Sequence, residues 1–267
     1  MTERKKYEDL DFTDDFMFCK ILQNNEALCK ELLELIIGKK IEVLRYPEKQ
    51  KAIEITSDGK GIRLDIYVED ENNAVYDVEM QTTSSRNLPK RSRYYQGMID
   101  LNLIERGAKY EELKKSYIIF ICTFDYFGMG LHKYTFYPVC KENPEMILDD
   151  GTVRIFLCAG GGANDVSRDM KDFLDYLVDK RTRNEFTAEL DHAVIDARKH
   201  EKWRDEFMTL LMRDQENQEI GKEIGQRDKL KELIKKKLAK GYSTSEIADM
   251  LEEEPELIEE LIKEMQT

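Results

Sequence analysis

The run Tyr117-Ile118-Ile119-Phe120-Ile121-Cys122 constrains the fold of this chain more than any other stretch. It is too short for a buried helix, and it lacks the polar alternation of a strand with one wet face. β-Branched and aromatic residues dominate it, so it reads as a central strand covered on both sides. Such a strand needs packing layers above and below, which points to an α/β arrangement.

The surrounding patterns agree. In residues 10–38, Phe16, Ile21, Leu22, Leu28, Leu32, Leu33 and Ile36 recur at helical spacings, and Gly38 is a natural stop, so one or two helices are expected. From Arg63 the period becomes two, with Leu64, Ile66 and Val68 on one side and Arg63, Asp65 and Tyr67 on the other. After the turn-rich residues 69–73 the alternation resumes, Tyr76, Val78 and Met80 against Asp77, Glu79 and Gln81, which predicts a hairpin. Residues 91–104 form an amphipathic helix pattern, and short strands are expected at 41–45, 52–56, 133–139 and 153–157.

Beyond Gly160-Gly161-Gly162 no strand pattern returns. Helices are expected at 166–178 and 186–212, then a charge-dense helix from about 215 and two short ones after Gly241. The glycine triplet reads as a flexible joint, which divides the chain into an α/β domain, 1–165, and a helical extension, 166–267. The tail resembles the start of a helix-turn-helix, but its second helix carries Glu252, Glu253, Glu254, Glu256, Glu259 and Glu260, which would repel phosphate. It reads instead as a helical pair for packing or self-association into a homo-oligomer.

Composition narrows the chemistry. No apolar run in the 267 residues approaches the roughly 20 needed to span a membrane, and the charged N-terminus has no apolar stretch behind it, so a cytoplasmic location is expected. The five cysteines contain no C-x-x-C pair and the three histidines no H-E-x-x-H spacing, so a metal site would have to be built from carboxylates. The net charge of -13 disfavours bulk capture of nucleic acid. Binding DNA would require a local basic track, for which Lys39, Lys40, Arg45, Lys90, Arg91 and Arg93 are the candidates, with Tyr95 beside them.

An odd-length hairpin loop centred on Asn72 would set Asp65 opposite Glu79 and Arg63 opposite Gln81. Two carboxylates that close repel unless one is protonated or a cation lies between them, and Mg²⁺ prefers such oxygen ligands. That arrangement suits phosphodiester hydrolysis, with Gln81 orienting a water. The plainer alternative is a solvated outer face of a hairpin.

The strings Arg63-Leu64-Asp65-Ile66-Tyr67 and Tyr76-Asp77-Val78-Glu79-Met80-Gln81 resemble the D-x(n)-(D/E)-x-K signature of the PD-(D/E)XK nucleases, in the E-x-Q form of the Rpn family of recombination-promoting, transposase-like nucleases. Thr13-Asp14-Asp15-Phe16-Met17-Phe18-Cys19-Lys20 is similar to that family's T-x-D-x-x-F-x-K opening. The likeness continues in Arg91-x-Arg93-Tyr94-Tyr95, Gly107-x-x-Tyr110-x-x-Leu113 and Ile118-Ile119-Phe120-Ile121, and spans roughly residues 10–160.

The resemblance implies a restriction-endonuclease-like mixed sheet flanked by helices, and a metal-dependent DNA endonuclease using Mg²⁺ or Mn²⁺ in recombination, mobile-element biology or defence. It implies Asp65 and Glu79 as metal ligands, the Met80 main chain as a further one, Gln81 in place of the usual lysine, and Asp15 completing the site. Gln81 is a neutral amide and cannot donate positive charge to a transition state. A catalytically inactive interaction module with a helical assembly tail is the competing expectation.

Overall fold

The computed structural model describes residues 5–46, 52–53, 62–84, 87–104 and 107–265, with the backbone alone for 52, 53, 62 and 63. The first part of the chain forms α1 (Asp15–Asn24), α2 (Glu26–Ile37), β1 (Leu44–Arg45), β2 (Ala52–Ile53), β3 (Ile62–Arg63), β4 (Ile66–Asp70), β5 (Val75–Gln81) and α3 (Leu88–Leu103). There follow β6 (Ser116–Cys122), β7 (Lys133–Phe136), β8 (Thr152–Cys158), α4 (Arg168–Asp179), α5 (Glu185–Arg198), α6 (Glu201–Leu238), α7 (Thr244–Leu251) and α8 (Pro255–Glu264). The expected α/β class is present as a mixed six-stranded sheet in the order β1-β4-β5-β6-β8-β7, with β2 and β3 paired separately.

The apolar run is the centre of that sheet. β6 is bonded to β5 on one side and β8 on the other, both in parallel, and Ile118 to Cys122 are fully buried. Parallel neighbours cannot be joined by a tight turn, so the chain between β5 and β6 crosses over one face, and α3 is that crossover. Its Tyr95, Met98 and Ile99 pack with Ile118, Phe120 and Phe156, the two phenylalanine rings stacking at 5.5 Å. The other side chains of these strands, Ile66, Val68, Val78, Met80, Ile119 and Ile121, are buried as well. Helix α1 lies against β4 and packs with α5, and α2 packs with α4 and α5.

Local chemistry sets the helix limits. The Asn25 side chain accepts from the Leu28 N–H at the start of α2, and Gly38 ends that helix in the left-handed region at φ 70°. Ser167 and Asn184 cap α4 and α5 in the same way.

The boundary expected near residue 165 lies elsewhere, because the two compact units are Met1–Trp203 and Arg204–Thr267. Loss of strand pattern says nothing of where a helix docks, and α4 and α5 dock on the N-terminal segment. The Phe173 ring meets Phe12 at 6.5 Å and Phe186 at 5.7 Å, Lys180 pairs with Asp11 at 2.9 Å, and the Tyr7 hydroxyl donates to the Ala197 carbonyl at 2.6 Å. The helix expected over 186–212 is broken at Lys199 and His200, after which α6 runs on through Leu238. The strands expected at 41–45 and 133–139 are shorter than their sequence patterns, the one at 153–157 gains a residue at each end, and most of the one at 52–56 falls outside the described residues.

The second unit has its own small core, in which Ile234 of α6 meets Ile247, Ala248, Ile258 and Leu261 of α7 and α8. Arg227 bonds to Glu260 and Glu264, and Lys231 to Glu264 at 2.9 Å, so part of the acidic surface is paired within the unit. Among the described residues no helix is long and apolar enough to cross a membrane.

The glycine triplet is a packing element and not a joint. A Cβ on Gly160 would lie 2.6 Å from the Asp125 amide nitrogen, and one on Gly161 would lie 2.8 Å from the Leu131 carbonyl, whereas Gly162 has open space. Gly161→Ala should therefore cost about 1–3 kcal/mol through overpacking, read as a Tm several degrees lower, while Gly162→Ala leaves Tm nearly unchanged. Equal tolerance of both substitutions in thermal melts would restore the joint.

Candidate active site

The β4–β5 hairpin has the register expected from its sequence. Ile66 pairs with Val78, Tyr67 with Asp77, Val68 with Tyr76 and Glu69 with Val75, symmetric about Asn72. Asp70 shapes the turn, accepting from the Asn72 and Ala74 amides at 2.9 and 2.8 Å and from the Tyr76 hydroxyl at 2.8 Å.

The ladder ends at Ile66, so Asp65 sits one residue past it. Side chain to main chain bonds hold it opposite Glu79: the Asp65 N–H donates to Glu79 Oε1 at 3.2 Å, and Asp65 Oδ2 accepts from the Met80 N–H at 3.3 Å. Arg63 does not continue the pairing toward Gln81. Its backbone belongs to β3 and pairs with Ala52, because the chain leaves strand conformation at residues 64 and 65.

Asp77, Glu79 and Gln81 share one face of β5, since side chains two apart along a strand point the same way. All three are buried, in the layer that holds Phe120 and Tyr95. Arg91, from the second turn of α3, enters this layer. Its guanidinium donates to Glu79 Oε2 at 2.9 Å, to Gln81 Oε1 at 2.8 Å and to the Tyr95 hydroxyl at 2.9 Å. It also lies 5.2 and 5.3 Å from the ring centroids of Tyr95 and Phe120, within cation–π range.

Arg91 opposes, without cancelling, the upward shift of the acids beside it. Burial, then the charges of Asp77 and Asp65, push the Glu79 carboxyl well above its usual range, against the Asp65 N–H bond and Arg91. Burial and then Asp65 push Asp77 up in the same direction, with Arg91 opposing. Asp77 is fully buried, and neither of its carboxyl oxygens has a hydrogen-bond partner. Burial and then Glu79 raise the Tyr95 phenol to about 12.

The other expected residues divide. Lys90 and Arg93 are exposed on α3, but Arg91 and Tyr95, expected to face DNA with them, are turned inward, because their positions on α3 face the sheet. The Met80 carbonyl accepts from Gln81 Nε2 at 2.6 Å. Asp15 is on the exposed first turn of α1. A bond from α1 to the hairpin comes from Gln23, whose Nε2 donates to the Asp65 carbonyl at 3.0 Å, eight residues or about 12 Å further along the helix from Asp15. Sequence reasoning gave no part to Gln23 or Asp77. Asp77 was visible in the alternation with Glu79 and Gln81, whereas nothing local marks Gln23.

The donor set fits a hard divalent ion. Asp65, Glu79 and the Met80 carbonyl are the oxygen donors that could hold one, and beside them Asp77 is a buried carboxyl whose oxygens lack partners. Among the described residues no three or more His, Cys, Asp or Glu side chains form a ready-made cage. Mg²⁺ needs none, since it is bound by one or two carboxylates and keeps its waters until phosphates replace them.

Residues 10–140 match the family model described as PD-(D/E)XK nuclease family transposase. No curated protein and no solved structure matches the chain.

The folded chain holds a proton on Asp77 that the unfolded chain has released above about pH 4, so its burial lowers stability progressively as pH rises from there toward the folded pKa. Asp77→Asn keeps the shape and removes the ionisation. In EDTA its Tm should exceed that of the wild type by roughly 3 °C or more at pH 8, and the gap should close near pH 3. A gap independent of pH would contradict the buried-acid assignment.

Proposed function

Because residues 10–140 match the family described as PD-(D/E)XK nuclease family transposase, we propose that this chain hydrolyses phosphodiester bonds in DNA with Mg²⁺ or Mn²⁺ held by Asp65 and Glu79. The observation that carries the reading is the placement of these carboxylates against each other at the open end of the hairpin, joined through the Asp65 and Met80 amides. A divalent ion there supplies Lewis-acid polarisation of the phosphate and a lowered pKa for an attacking water.

The chain's own groups account for the rest. Gln81 is held at both ends, its Oε1 by Arg91 and its Nε2 by the Met80 carbonyl, so its amide has one orientation from which to direct a water. The Met80 carbonyl is the further oxygen for the ion. Lys90 and Arg93, exposed on either side of the inward Arg91, are placed to neutralise phosphates flanking the cut. DNA is the substrate that the transposase description of the family favours, in recombination, mobile-element movement or defence.

Nicking of supercoiled plasmid at low salt tests this reading. Wild type should cut with Mg²⁺ or Mn²⁺ and not in EDTA, and Asp65→Ala and Glu79→Gln should each be at least about 100-fold slower, as loss of several kcal/mol of charge stabilisation requires. An Asp65→Ala variant as fast as wild type, or a wild type inert with every ion, would overturn it.

A further inference from the structure

Arg91 lies between two exposed cations, yet it is directed away from solvent and into the carboxylate layer. Its guanidinium spans Glu79 and Gln81, so positive charge stands beside the position where the PD-(D/E)XK signature has a lysine and this chain has a neutral amide. A guanidinium presents five N–H donors in a planar fork, of which the bonds to Glu79, Gln81 and Tyr95 use three. The same fork matches two oxygens of a phosphate.

Glu79 Oε2 cannot serve Arg91 and a divalent ion equally, because the two cations would repel at contact distance. The rings of Tyr95 and Phe120 hold the guanidinium from the side, so displacement from Glu79 would turn it without releasing it from the site. From this geometry, and resting on the nuclease reading above, we propose that Arg91 is a catalytic cation with two positions. In the resting site it is the counterion of Glu79. When a divalent ion takes Glu79, the guanidinium turns to a non-bridging oxygen of the scissile phosphate and provides the charge that Gln81 cannot.

The proposal requires opposite effects on two measurements. Arg91→Met keeps the apolar stem and removes the charge. Mn²⁺ titrated calorimetrically into this variant at pH 8.5, where protons compete least for Glu79, should bind about tenfold more tightly than to wild type, the equivalent of one charge-assisted hydrogen bond. Under saturating Mn²⁺ and plasmid, kcat should fall at least about 100-fold, while KM for DNA changes little. Gln81→Lys placed in the Arg91→Met background should recover at least tenfold of that loss, and Arg91→Lys alone should lie between wild type and Arg91→Met.

Unchanged or weaker Mn²⁺ binding would overturn the counterion role. A change confined to KM would make Arg91 an ordinary phosphate contact, and absence of rescue by Gln81→Lys would overturn the charge substitution. A wild type that cuts no DNA with any ion would sink the nuclease reading and with it the phosphate half of this proposal. The Mn²⁺ titration would still decide the counterion half.

Discussion

Three polar side chains, Asp77, Glu79 and Gln81, are buried on one face of β5 within a layer otherwise built from Ile118, Phe120, Phe156 and Tyr95. Placing carboxylates there is costly unless they are neutralised or paired. The chain does both: burial raises the pKa of Asp77 and Glu79, which favours their neutral forms, and α3 brings the Arg91 guanidinium against Glu79. The hairpin register and the α3 crossover matter for function because they deliver Asp65 and Arg91 to this strand. Such a site is held by the surrounding apolar packing and adds little stability of its own.

The sheet topology explains why the groups converge where they do. In open α/β sheets a ligand crevice forms beyond the carboxyl ends of the parallel strands. Gln81 ends β5 in line with Cys122 of β6 and Cys158 of β8. Because β4 runs antiparallel to β5, its beginning lies at this same end, and Asp65 precedes it directly. The segment leaving β5 must climb over the sheet to reach β6, and its helix begins beside the same edge, which brings Arg91 in from above.

The acidic tail follows separate rules. Ser243 and Glu246 form a capping box at α7, Gly241 takes φ 85° before it, and Glu260 and Glu264 are paired to Arg227 and Lys231. These features stabilise a small helical unit, and its glutamate-rich surface has the wrong charge for reading phosphate. By contrast α4 and α5, which share the tail's lack of strand pattern, complete the first unit by clasping Phe12, Asp11 and Tyr7.

Local pattern carried much of this protein. A six-residue apolar run can be satisfied only between two layers, and an alternation interrupted by a symmetric turn can pair in one register if its apolar side is to stay buried. Those facts, with the order of acidic residues, were enough for the α/β class, the hairpin and the juxtaposition of Asp65 with Glu79. Periodicity says which side of its own element a residue occupies, and it is silent on what another element brings to that side. Only the tertiary structure therefore decided that Arg91 leaves the expected DNA face for Glu79, that Gln23 braces Asp65, that Asp77 is a buried acid, and that Gly160 and Gly161 are close-packed, since each depends on a contact between segments distant in the chain.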